Sequence, residues 1–498
     1  MSAAAPGAAG PSLPEWLHRR AELSPGRLAL VSGDSRWTFA ELDRRADAVA
    51  RHLAGLGVRQ GDRVATLLRN GPAPVLVLHA LARLGAVLAP LNIRLAPAEL
   101  AWQLADCAAA WLVYDAAHAV AAKAAAGNGG GTALVAEEAL TDGASGAQKV
   151  LASDAVERRQ VDLAALQSIV YTSGTTGRPK GALLTFGNHW WSAVGSALNL
   201  GLQAEDRLLA SLPLFHVGGM AILWRSVIYG CSAIVQERFE PIAMNAAIDG
   251  EGVTIVSVVA AMLQRMLDER GDRPYPSWLR CVLLGGGPAP QPLLAACAAR
   301  QLPVVQTYGL TETASQAVTL APEDALRKLG SAGKPLFPLE LQIAVDGREA
   351  SAGETGEICL RGPSVSPGYL RTASGRADGW LHTGDLGRLD AEGYLYVADR
   401  RDDLIISGGE NVYPAEVEAV LLEHPAVAEA GVSGVPDPRW GQVPVATVVL
   451  RGGAAASEGD LLAFCTSRLA RYKVPASVQF RQQLPRTASG KLQRRLLQ

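Results

Sequence analysis

Residues 171–181 read YTSGTTGRPKG and follow directly on the apolar run LQSIV at 166–170. A short run of that kind predicts a buried strand, and the loop it opens into is polar throughout. Its three glycines permit tight turns, its four Ser/Thr hydroxyls and main-chain N–H groups can donate to phosphate oxygens, and Lys180 adds positive charge. Polyphosphate is the natural guest. The candidate contacts are Thr172, Ser173, Gly174, Thr175, Thr176, Gly177 and Lys180. The Gly-Lys-Ser/Thr ending of a P-loop is absent, and GGGPAP at 285–290 misses GxGxxG because Pro290 takes the last place. Kinase and dehydrogenase readings lose their best support.

Around this loop, helix and strand patterns alternate. The stretch FAELDRRADAVARHLAGLGV places Leu42, Ala46, Val49 and Leu53 at helical spacing, while GDRVATLL and AVLAPLN read as buried strands. More strands are expected at DRLLASL, SAIVQE, VTIVSVV and RCVLLG. Repetition of this sort predicts an α/β fold with parallel sheets. The run VLVLHALARLGAVLAPL from Val75 carries His79 and Arg83, so it reads as a buried helix and not a membrane span. Residues 117–149, rich in Ala, Gly and Ser, are expected to form a partly mobile surface excursion without chemistry.

The pattern changes beyond the charged junction Asp399–Asp403. A helix carrying Val417, Val420 and Leu421 precedes strands at VAEAGVSGV and VPVATVVL, a second helix with Leu461, Phe464, Cys465 and Leu469, and a strand at SVQFRQQL. The expected division is an N-terminal domain over 1–398, a hinge over 399–403 and a small α+β domain over 404–498.

Charge and cysteine usage narrow the class. With 46 basic against 48 acidic residues the net charge is -2, which points away from nucleic acid and from anionic membrane surfaces. Any anionic ligand must be met by local groups. The six cysteines, at 107, 231, 281, 297, 359 and 465, form no CxxC pair and no His-linked metal spacing, as suits a reduced cytoplasm. The opening MSAAAPGAAGPSLPEW lacks a basic stretch followed by a leucine-rich run and reads as a loose tail.

YTSGTTGRPKG is followed in order by YGLTET at 308–313, HTGDLG at 382–387, DRRDDLIISGGENVYP at 399–414 and PRTASGKLQRR at 485–495. On these motifs the chain resembles the adenylate-forming enzymes, the family of acyl-CoA synthetases, peptide-synthetase adenylation domains and firefly luciferase. The resemblance covers nearly the whole chain. It implies a large N-terminal domain with a β-rich subdomain, a mobile C-terminal lid, and the substrates ATP, a carboxylic acid and coenzyme A. A carboxylate would attack the α-phosphate of ATP, and the acyl group of the resulting adenylate would then pass to the thiol.

Both reactants of the first step are anions, so fixed cations and N–H dipoles in a water-shielded site would supply most of the catalysis. The resemblance makes Glu312 the Mg²⁺ ligand, a hard carboxylate suited to that ion. It sets Thr311 near the α-phosphate and Tyr308, with Gly309, against adenine. It lets Gly285, Gly286, Gly287 and Pro288 approach the base, and it gives the ribose hydroxyls to Asp385 and Arg400. Lys491 would reach the α-phosphate and the acyl carboxylate. Asp402 would be the hinge, and rotation about it would bring Gly408, Gly409 and Glu410 to line the coenzyme A tunnel.

The stretches at 184–202, 213–230 and 283–294 look like the menaquinone-pathway branch of the family, whose aromatic acid has one carboxylate to activate and a second that stays unreacted. That second carboxylate calls for a buried cation. Arg225 is the candidate; the bland alternatives are an arginine snorkelling to solvent or pairing with an acidic neighbour. His216, in LFHVGG, would line the acyl channel and help hold the reacting carboxylate. Competing readings are a ligase for benzoate, coumarate or a fatty acid, a luciferase-like oxidoreductase, and a non-catalytic binding protein. The sequence leaves a homo-oligomer open.

Overall fold

The computed structural model describes residues 11–127, 131–141, 160–172, 179–287, 289, 291–372, 378–399, 404–485, 492 and 494–497. Among them, a seven-stranded sheet places Leu166–Thr172, Val87–Pro90, Arg63–Leu67, Trp111–Tyr114 and Ala133–Ala136 side by side in parallel. Lys180–Thr185 and Gly368–Tyr369 extend it antiparallel at one edge. A nine-stranded sheet is parallel through Leu28–Ser32, Ser232–Val235, Arg207–Ala210, Ile255–Val258, Cys281–Leu284 and Val304–Leu310. The strands expected from apolar runs are therefore present, and most are buried on both faces, as parallel strands between helical layers are.

Two apolar helices fill the space between these sheets. In Pro72–Leu84 and Val217–Tyr229 nearly every residue is buried, which a helix with hydrophobic residues all round requires. Each ends on a glycine in the left-handed conformation, Gly85 and Gly230. Trp224 lies at the centre, with the rings of Trp16 and His79 at 5.1 and 5.3 Å. Arg83 stays buried among Glu15, Asp43 and Asp47, which hold its charge within the core. No described helix is long and apolar enough to cross a membrane.

The β-rich subdomain is an antiparallel sheet of Arg348–Glu349, Glu340–Val345, Gly356–Arg361, Leu381–Leu389 and Leu395–Asp399. Beyond it, Ile405–Ser407, Glu410–Val412, Gly441–Leu450, Val427–Asp437 and Val478–Phe480 form a separate sheet, covered by helices Pro414–Leu422 and Glu458–Thr466 around their own core.

The expectation for 117–149 needs correction where it can be seen. Ala119–Ala126 is a helix, Ala133–Ala136 is the edge strand of the seven-stranded sheet, and Ala122, Ala125 and Ala126 are buried. Alanine has the highest helix propensity and packs closely, so an alanine-rich stretch builds structure as readily as it forms a loop.

Candidate active site

The signature loop joins two antiparallel strands. Thr172 stands opposite Lys180, and its hydroxyl donates to the Lys180 carbonyl at 3.4 Å. Ser173, Gly174, Thr175, Thr176 and Gly177 lie outside the described residues, as do Pro288, Arg400, Asp402 and Lys491. The hairpin base nevertheless fixes where the loop emerges. Lys180 Nζ stands 5.6 Å from the centroid of the Tyr369 ring, within cation–π range. Tyr369 in turn donates its hydroxyl to Glu312 Oε1 at 2.5 Å.

Strand Val304–Leu310 delivers YGLTET to the same place. Its end turns sharply through Thr311–Thr313, and the Ser366 amide donates to the Glu312 carbonyl at 2.7 Å. Glu312 is half-buried and in no ion pair among the described residues. A carboxylate engaged by a phenol and not by a cation fits Mg²⁺ held by one carboxylate and phosphate oxygens. Nearby, the buried Tyr308 donates its hydroxyl to Asp385 Oδ2 at 2.7 Å, joining YGLTET to HTGDLG. Gly309 lets this strand close on its antiparallel neighbour Ser315–Thr319: a Cβ there would sit 1.8 Å from the Ser315 carbonyl oxygen.

The small domain presents ISGGEN to this surface. Ile405–Ser407 and Glu410–Val412 form a hairpin with Gly408 and Gly409 at its tip, both at positive φ (59° and 86°), as a tight two-residue turn demands. Glu410 is buried. Its Oε2 lies 3.1 Å from His216 Nε2, and its Oε1 accepts from Arg94 Nη1 at 2.7 Å. Burial pushes the Glu410 carboxyl up, but His216, Arg94 and Lys473 outweigh that and hold it below the usual carboxylate range. A Cβ at Gly287 would lie 3.2 Å from Ile406 Cδ1, so the GGG turn faces the same hairpin.

A second bridge crosses the boundary. The buried Lys473 donates to Glu416 at 2.7 Å within the small domain and to Glu99 at 2.8 Å in the large one. Burial pushes the ammonium down, yet Glu416, Tyr472 and Glu99 reverse the shift and keep it charged. Sequence reading missed Arg94, Glu99, Tyr369 and Lys473. Arg94 and Glu99 had one available signal: they follow strand Val87–Pro90, at the carboxyl end where open α/β sheets bind ligands.

Arg225 is buried within Val217–Tyr229, so it does not reach solvent, and no described carboxylate pairs with it. Its Nε and Nη2 have no hydrogen-bond partner among the described residues. Burial lowers the guanidinium from its ordinary value, and Tyr229 offsets part of the shift. The side chain lines a recess with Ser196, Tyr229, Ser257 and Leu283, the last two residues short of Gly285.

The chain belongs to the AMP-binding enzymes: the family model matches 17–370, and that of the AMP-binding enzyme C-terminal domain matches 416–491. It is 53% identical to the 2-succinylbenzoate–CoA ligase of Geobacillus kaustophilus over 98% of this chain and 97% of that protein. Among solved structures, o-succinylbenzoate CoA synthetase from Bacillus subtilis is 45% identical, with 98% of both chains covered. A double mutant of it bound to the product analogue OSB-NCoA gives a TM-score of 0.91, and its complex with the acyl-adenylate OSB-AMP gives 0.75.

Proposed function

We propose that this chain is an ATP-dependent acid–CoA ligase that converts o-succinylbenzoate to o-succinylbenzoyl-CoA through an acyl-adenylate, as a cytoplasmic step of menaquinone biosynthesis. The observation that carries the choice of acid is Arg225. A buried guanidinium with two nitrogens unsatisfied costs several kcal/mol unless an anion completes it. The spare carboxylate of o-succinylbenzoate is such an anion; benzoate and fatty acids have none.

In the first step, residues 172–177, Lys180 and Thr311 cradle the phosphates, while Tyr308, Asp385 and Arg400 orient the nucleoside beside Gly285, Gly286, Gly287 and Pro288. Glu312 holds Mg²⁺, which neutralises phosphate charge when bound. Lys491 and His216 hold the reacting carboxylate in line with the α-phosphate. In the second step the 404–498 lid, turned about Asp402 in the 399–403 hinge, withdraws Lys491 and brings up Gly408, Gly409 and Glu410, opening a path for the coenzyme A thiol.

The contact of Glu410 with His216 supports placing the described arrangement in the second step. So does the difference between 0.91 and 0.75 at equal identity, which a reorientation of one domain in an otherwise shared fold would produce.

The test is pyrophosphate release with o-succinylbenzoate, benzoate, coumarate and a medium-chain fatty acid, using the parent chain and Arg225→Ala. The expected result is a parent strongly selective for o-succinylbenzoate and a variant that loses the preference. An unchanged ratio between the acids overturns the role of Arg225, and no adenylate from any acid overturns the function.

A further inference from the structure

The β-rich subdomain holds a donor cluster that the adenylation chemistry does not use, with Cys359 buried beneath the partly exposed Glu357 and His382. Strands Gly356–Arg361 and Leu381–Leu389 are antiparallel neighbours, with Cys359 directly opposite His382. Glu357 lies two residues from Cys359, so the alternation of a strand puts both on the same face. His382 Nδ1 is 3.4 Å from Cys359 Sγ and 3.1 Å from Glu357 Oε2, and the three donor atoms lie within 4.8 Å of one another. The sequence reading found no His-linked cysteine because 23 residues separate the pair; only the strand register brings them together.

We infer that Glu357, Cys359 and His382 form a second, non-catalytic divalent-cation site that takes a zinc-like ion. Donors at zinc distances in a tetrahedron lie about 3.4–3.6 Å apart, so small side-chain movements would centre an ion between these three. The supporting contacts are in place. His382 Nε2 faces Asp378 Oδ2 at 3.0 Å, the carboxylate–histidine pairing that orients ligating imidazoles. The other Glu357 oxygen accepts the Gly384 N–H at 2.9 Å, which aims Oε2 at the cluster.

The His382 side chain is 47% exposed and that of Glu357 33%, leaving an entry path and room for a water as fourth ligand. Coordination needs an unprotonated Nδ1 and displaces the thiol proton to solvent. Thiolate and imidazole favour Zn²⁺ or Co²⁺ over Mg²⁺, so this site and Glu312 would not compete for one ion. An ion here would also tie the strand to the Gly384–Asp385 turn, which meets Tyr308.

The experiment titrates chelator-treated full-length protein with Co²⁺ and follows the thiolate-to-cobalt charge-transfer absorption in the near ultraviolet. One equivalent should develop the band, Zn²⁺ should abolish it, and excess Mg²⁺ should leave it unchanged. Cys359→Ser should remove the band and Cys465→Ser should retain it. His382→Gln, at an exposed position, should weaken Co²⁺ binding at least tenfold, and Asp378→Asn by about 10–100-fold. Absence of a thiolate band in the parent, or an undiminished band in either Cys359→Ser or His382→Gln, overturns the site.

Discussion

His216 and Glu410 are 194 residues apart in the chain and 3.1 Å apart in space. One caps the start of a buried helix of the large domain; the other stands beside the glycine tip of a small-domain hairpin. With Arg94 on its second oxygen, the Glu410 carboxylate is one of the points where the two bodies grip each other, beside Lys473 and Glu99.

On the proposed mechanism that grip serves the second half-reaction. Removing a charge-assisted hydrogen bond costs roughly 1.5–3 kcal/mol, or about 10–100-fold. Glu410→Gln should therefore slow thioester formation from supplied adenylate by that factor in single-turnover measurements. Acid-dependent exchange of pyrophosphate into ATP should stay near the parent value.

Lys491→Ala should give the opposite split, abolishing adenylate formation while leaving thioester formation from supplied adenylate largely intact. The same two measurements check it. Equal loss in both would count against a lid with two working faces.

Gly309→Ala tests the tight pairing of YGLTET with the following antiparallel strand, Ser315–Thr319. Its new methyl would meet the Ser315 carbonyl at 1.8 Å, which no side-chain rotation relieves because the obstacle is backbone. The strand must shift, at a cost of about 1–3 kcal/mol for such overpacking. Thermal melting should show that loss, together with a rise in the KM for ATP as the shift disturbs the Tyr308–Asp385 hydrogen bond.

His79 and His189 predict the acid limb of stability. Burial lowers both from 6.5 to about 3, with Arg83 adding to the shift at His79 and Arg225 at His189. The unfolded chain then binds more protons than the folded one between these values. Stability is fully present above pH 6.5 and falls as the pH drops toward 3, by at most about 1.4 kcal/mol per pH unit for each histidine. Melting temperatures of the parent and of His79→Leu between pH 7 and 5 should diverge, with the variant losing less.

Much of the architecture could be read from residue spacing. The apolar runs ending at Val170, Ala210, Val258 and Leu284 became buried strands because periodicity and burial agree for parallel sheets. The motifs carrying Lys180, Tyr308, Glu312 and Asp385 did converge, through Tyr369 and the Tyr308–Asp385 hydrogen bond. Contacts that depend on how two bodies dock were not legible. Arg94 and Lys473 look like ordinary surface charges in one dimension, and only docking brings Arg94 to Glu410 and Lys473 to Glu99. Arg225 stood between two readings until its burial, without a described carboxylate, favoured one.

Lys473, clasped between Glu416 and Glu99, also has a kinetic consequence. If the cap swings once per catalytic cycle, the Glu99 half of this clasp must open before the next nucleotide can react, so its tightness acts as a governor on reset. A weaker clasp would leave the thiol stage short-lived, and a stronger one would stall departure of the finished thioester.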